Sequence, residues 1–170
     1  MSVTVQDYRR TDLRLDTGGD PFWIISRVVD GDAVSGLKDK ACVLFSFPVA
    51  EQHIIIHEIV VRITRAFTSG TSLVLGTYTL AKDNVLPGGV ATVVKEDAYV
   101  ESGDIIPGTI GVYFPTTGDF VDSRASGVTI NGGNLIIGSA TNVPAVVLTP
   151  KDATISIGQA KVQMLISVIP

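Results

Sequence analysis

The sequence predicts an all-β protein, and three observations carry the prediction. From Pro21 onward, apolar runs rich in Val, Ile, Thr and Phe alternate with clusters of Gly, Pro, Asn and Asp. Two longer segments alternate apolar and polar residues with a period of two. The 17 glycines and 8 prolines are spread along the chain and interrupt any sustained helical period. The runs recur roughly every 8–15 residues, the spacing of a β-sandwich or barrel.

Element by element, Met1–Asp20 stands apart. It contains Asp7-Tyr8-Arg9-Arg10, Asp12-Leu13-Arg14-Leu15-Asp16 and Thr17-Gly18-Gly19-Asp20, with little alternation. It reads as an N-terminal arm or lead-in, residues 1–20, before a β-sandwich domain over 21–170. Unburied termini order when something ties them down, and here a neighbouring subunit is the expected tie. The predicted strands are 22–29, 41–49, 54–66, 72–78, 90–94, 110–114, 127–130, 135–137, 144–148, 154–157 and 161–169. Within residues 80–86 one short helical turn is expected, with Asp83 near a cap. In 58–65, Ile59, Val61 and Ile63 are apolar while Glu58, Arg62 and Thr64 are polar. In 161–168, Val162, Met164, Ile166 and Val168 are apolar, and Lys161, Gln163 and Ser167 are polar. Such alternation sets one face on a core and the other towards solvent, so both segments are predicted as central strands. Asn131-Gly132-Gly133-Asn134 carries the strongest hairpin signal, because Asn and Gly tolerate the positive φ of tight turns.

Composition narrows the function classes. Hydrophobic residues make up 45% and charged residues 18%, with a mean hydropathy of +0.38. A chain of 170 residues with that balance is expected to hide apolar surface in an oligomer or assembly. Polar residues break every apolar run below the roughly 18 consecutive residues of a spanning helix, and no membrane partner is expected. Met1–Asp20 lacks the apolar stretch of a secretory signal, so synthesis and folding in a cytoplasm are expected. The net charge of −4 lacks the basic footprint that nucleic acid requires. Cys42 is the single cysteine, which rules out an intrachain disulfide and a cysteine-based metal site. It reads as a small buried hydrophobe.

No catalytic constellation is legible. His53 and His57 would share a helix face and hold a metal there, but Ile54-Ile55-Ile56 between them favours a strand. Four strand steps place them roughly 13 Å apart along the chain, too far for one zinc ion. No serine sits in a Gly-x-Ser-x-Gly elbow. Asp30-Gly31-Asp32 reads as a polar turn rather than a calcium loop, and Gly88-Gly89 lacks phosphate-loop spacing. A paired-carboxylate hydrolase remains a third functional class, decided only by three-dimensional spacing. No cofactor is expected. Tyr8, Arg9 and Arg10 are the candidate partner contacts: Tyr supplies area, and Arg pairs with carboxylates.

The segment His53–Gly76, HIIIHEIVVRITRAFTSGTSLVLG, resembles the early strands of structural proteins of tailed bacteriophages. In them a long strand runs into an Ala-Phe-x-x-Gly-Thr-x-Leu-x-Leu-Gly turn and strand. The Gly/Thr-rich stretch 110–120 and the last strand, 160–168, extend the likeness over about two thirds of the chain. The resemblance implies a jelly-roll-like antiparallel β-sandwich, often trimeric, that decorates or cements the capsid exterior. Its implied partners are the major capsid protein and further copies of itself, and its implied place is the outside of the virion. A fibre or tail module that recognises host-surface carbohydrate is the alternative. The charged lead-in 1–20 has no fixed counterpart in that family.

Overall fold

A computed structural model describes residues 2–7, 9, 20–31, 41–47, 53–81, 90–115, 135–137, 142–151 and 157–169. They form strands β1 (Ser2–Asp7), β2 (Phe22–Ile25), β3 (Val29–Asp30), β4 (Ala41–Ser46), β5 (His53–Arg65), β6 (Ser72–Ala81), β7 (Val90–Val100), β8 (Gly111–Tyr113), β9 (Leu135–Ile137), β10 (Asn142–Lys151) and β11 (Gln159–Ile169). The predicted strand 127–130, the 131–134 hairpin and residues 154–156 lie outside the described set. Residues 80 and 81, the start of the expected helical turn, extend β6 instead; 82–86 lie outside the described residues.

Two sheets make an antiparallel sandwich. The first has the order β4-β10-β6-β7, and the second β2-β11-β5-β8, with β3 on β11 and β9 on β5. Counting β2, β4, β5, β6, β7, β8, β10 and β11 as strands one to eight, the sheets read 2-7-4-5 and 1-8-3-6. That interleaving of two Greek keys is the jelly-roll order. Strands β5 and β11 are central in the second sheet, as their alternation requires: β11 is flanked by β2 and β5, and β5 by β11 and β8.

Strand β1 lies inside the segment read as an arm, and it belongs to the first sheet. Its first half pairs antiparallel with β7 (Ser2 with Thr92), and its second half parallel with β4 (Val5 with Ala41). The sheet thereby closes into a barrel of five strands. Closure creates a second core. Ala41, Val43, Tyr78, Leu80, Ala91, Ala145 and Val147 pack inside the barrel. Cys42, Leu44, Leu73, Leu75, Val100, Val146 and Leu148, on the opposite face, pack against Ile56, Ile59, Val61, Val162, Met164 and Ile166 of the second sheet. Strands buried on both faces read as continuous apolar runs rather than alternating ones. That accounts for Ala41-Cys42-Val43-Leu44-Phe45 and Ala145-Val146-Val147-Leu148, and for much of the hydropathy that the sequence assigns to assembly.

Bulges adjust the pattern to the fold. On β5, Glu58 pairs with Leu165 and Ile56 with Ile166, so His57 is an extra residue. Hence the core-facing residues run 54, 56, then 59, 61, 63, and His57 and Glu58 both stay half-buried off the core. On β7, residues 96–99 fall between the partners of Leu75 and Thr77. Gly76 faces this excursion, and a Cβ there would run into the backbone of Lys95 and Glu96. Gly158, at φ +128°, opens β11 against the Phe67 ring in a conformation that L side chains rarely adopt.

Two buried tyrosines mark the β6–β7 region. Thr77 Oγ1 donates to the Tyr99 hydroxyl at 2.7 Å, and the Tyr78 hydroxyl lies 3.2 Å from Thr149 Oγ1 and 3.4 Å from a Glu96 carboxylate oxygen. Burial pushes both phenols up to about 12, with the Glu96 charge adding to the effect at Tyr78. Because the folded state disfavours the phenolate, the stability these groups confer is complete below their ordinary value of 10.0 and is lost as pH rises through 12. Thermal melts should therefore lose stability steeply above about pH 10, and Tyr99→Phe should flatten that alkaline limb. Gly76→Ala should cost about 1–3 kcal/mol in chemical denaturation, because backbone rather than a flexible side chain must give way.

Candidate interaction surface

The described residues hold no group of three or more His, Cys, Asp or Glu arranged to bind a metal. His57 lies on β5, where its Nε2 is 2.8 Å from Ser167 Oγ of β11. Asp30 accepts a 2.8 Å hydrogen bond from Gln159 Nε2. Cys42 is buried in the sandwich core. The His57 and Asp30 contacts tie strands together.

Of the residues expected at a partner contact, Tyr8 and Arg10 lie outside the described set, and Arg9 is engaged within its own chain. Its Nε and Nη2 donate to the two carboxylate oxygens of Asp7 at 2.9 and 3.1 Å, and Nη1 donates to Ser46 Oγ at 2.9 Å. The bidentate pair fixes the guanidinium at the end of β1, and the Ser46 bond joins it to the end of β4. Burial opposes ionisation of Asp7, but the Arg9 hydrogen bonds and the fields of Arg9 and Arg27 outweigh it and hold the carboxyl below its ordinary value.

The outward face of the second sheet is chemically the most distinctive surface. Strand register sets its rows. Trp23 lies beside Leu165, which lies beside Glu58; Ile25 lies beside Gln163, then Val60; Lys161 lies beside Arg62, then Val112. Trp23 is 47% exposed. At the β8 edge the expected polarity inverts. Tyr113 packs against the core, while Ile110, Val112 and Phe114 are 65%, 48% and 55% exposed. Residues i, i+2 and i+4 of an extended segment share a face, so these three form one apolar stripe roughly 13 Å long. The Tyr113 hydroxyl donates to the carbonyls of Ile106 and Thr109, at 3.0 and 2.9 Å, and holds the preceding turn in place. Ile110-Gly-Val-Tyr-Phe114 is apolar at alternate positions on both faces except for the glycine, so its sequence does not reveal which set faces out.

Two depressions flank the middle of this face. One, of about 440 Å³, is lined by Arg62, Ile63, Thr64, Ile110, Gly111 and Val112. The other, of about 460 Å³, is lined by Ile25, Ser26, Arg27, Val28 and Lys161, where the chain leaves β2 before β3. Ser26 keeps that departure tied to β11: its Oγ accepts from Val162 N at 3.0 Å and donates to the Arg27 carbonyl at 2.8 Å.

The strand order and the two cores define a jelly-roll β-sandwich. No family model matches the chain, and no curated protein matches it. Among solved structures, the capsid asymmetric unit of cyanophage Pam1 is similar over 95% of this chain and 96% of that chain, with a TM-score of 0.46 and 12% sequence identity.

Because the folded Asp7 carboxyl is held below its ordinary 3.8, its stabilising contribution is present above that value and is lost as pH falls through the lowered one. Asp7→Asn should cost up to about 1 kcal/mol at neutral pH and remove part of the acid limb seen in thermal melts from pH 7 to 3.

Proposed function

We propose that this chain is a non-enzymatic structural protein of a virus particle, a decoration or cement protein that binds the outer capsid surface and stabilises the shell. Its partners are the major capsid protein and further copies of itself in a homotrimer. The observation that carries the reading is the exposed apolar stripe Ile110, Val112 and Phe114 along the β8 side of the second sheet. Exposed apolar side chains gathered in one patch mark association surfaces. The resemblance of His53–Gly76 to phage structural proteins supports the same reading. His57 and Asp30 are engaged with β11 and Asp7 with Arg9, rather than gathered in a cleft. A cement protein on a shell gains avidity because linked subunits make later contacts intramolecular.

One observation favours the alternative, a fibre or tail module for host-surface carbohydrate: Trp23 is half exposed on a sheet face. Its neighbour in register is Leu165 rather than a second aromatic platform. Copy number separates the two. Quantitative staining of purified particles should give hundreds of copies for a cement protein and few for a tail module. Particles lacking the protein should also disrupt at lower temperature, and adding the chain back should restore them. Absence from particles would sink both readings. Because Trp23 is the single tryptophan, a glycan that shifts intrinsic fluorescence would decide for the alternative.

A further inference from the structure

We infer that the outward face of the second sheet, centred on Lys161 and Arg62, is a docking groove for an acidic, partly apolar extended segment of a partner protein. The inference deepens the reading above by assigning the surface that meets the shell and the chemistry of what it meets.

Two cations of this face are in local conflict. Lys161 and Arg62 are directly opposed across β11 and β5. Side chains so placed have Cβ atoms about 5 Å apart, and like charges there are destabilising. Arg62 is exposed, Lys161 is half-buried, and neither has an ion-pair partner among the described residues. Two carboxylates flank the pair on this face: Glu58 of β5, four residues from Arg62 and beside Leu165, and Asp30 of β3, which lies beside Gln159 and accepts its hydrogen bond at 2.8 Å. Arg27 lines the depression on the other side of Lys161, and its charge acts on Asp7 as well. The conflict disappears once a carboxylate from outside sits between the two cations.

The apolar half of the groove constrains the occupant further. Val112 is the next residue in the row after Arg62, and Ile110 shares its face. An occupant must therefore offer Asp or Glu to the cation pair and aliphatic side chains to Ile110, Val112 and Phe114, an arrangement that an extended segment provides. Nucleic acid fits poorly. A chain of net charge −4 repels a polyanion at long range, and the stripe offers aliphatic surface where stacking would be needed. A second copy docked through the same face about a two-fold axis would set cations against cations.

The test uses the full chain with isotope-labelled backbone and methyl groups, and three synthetic twelve-residue probes: alternating Val-Glu, alternating Val-Lys and alternating Ser-Glu. The Val-Glu peptide should perturb the resonances of Arg62, Lys161, Ile110 and Val112 saturably. The Val-Lys and Ser-Glu peptides should bind at least tenfold more weakly. Arg62→Glu with Lys161→Glu should weaken Val-Glu binding at least tenfold and reverse the preference towards Val-Lys, whereas Thr92→Glu on the first sheet should leave it unchanged. Equal binding of all three probes, no shifts at millimolar peptide, or tighter binding of a single-stranded oligonucleotide would overturn the inference. So would a fall in oligomer mass by sedimentation equilibrium on Val112→Ser, since the occupant would then be another copy. A chain that binds Val-Glu peptide here but fails to bind particles lacking it would refute the cement reading and leave this groove standing.

Discussion

The structure depends on one constraint: the first sheet must bury both of its faces at once. One face of β4, β6 and β10 meets the second sheet, and the other lines the small barrel that β1 closes. Without β1, strands β4 and β7 would be open edges, and the barrel core around Tyr78 and Val147 would lose one wall. The residues nearest that closure carry matching polar ties. Arg9 clamps Asp7 and reaches Ser46, so the strand end is held by charge-assisted bonds where hydrophobic contact runs out.

Closing a sheet of this size requires local departures from regular pairing. The long excursion of β7 opposite Gly76 and the shift of β10 between Val146 and Val147 each bend a strand of the barrel and change which side chains face inward, and the extra residue at His57 does the same in the second sheet. On β4 the last of these leaves both Leu44 and Phe45 in the sandwich core. The glycine at 76 is explained by the same geometry, since only a residue without Cβ clears the bulged backbone.

The second sheet is plainer and more exposed. Its inner face is apolar, with Ala160, Val162, Met164, Ile166 and Val168 of β11 fully buried and Phe22 and Tyr113 packed against the core from β2 and β8. Its outer face combines cations, a tryptophan and an apolar edge, and the proposed contacts with a shell are drawn from that combination. On this face Lys161 and Arg62 oppose each other, whereas His57 with Ser167 and Asp30 with Gln159 bind neighbouring strands. Its chemistry is better matched to a partner than to this chain alone.

The amino-acid sequence by itself determined the all-β class, the central positions of β5 and β11, and the burial of Cys42. Period-two alternation and turn residues act locally, so they are legible without coordinates. It also separated His53 from His57, because three isoleucines commit the segment to a strand. Other features were decided only by tertiary structure. Ser2–Asp7 reads as part of a charged arm, yet it forms a strand, because its pairing partners lie far away in sequence. The high hydropathy of the whole chain reads as surface left for an assembly, yet the apolar runs of β4 and β10 bury both faces within the chain, since closure into a barrel is a non-local event. The stripe at Ile110, Val112 and Phe114 was hidden for the converse reason: with Tyr113 also apolar, only packing against the core selects which set faces out. The opposition of Lys161 and Arg62, nearly a hundred residues apart, exists only through strand register, which no local pattern in either segment specifies.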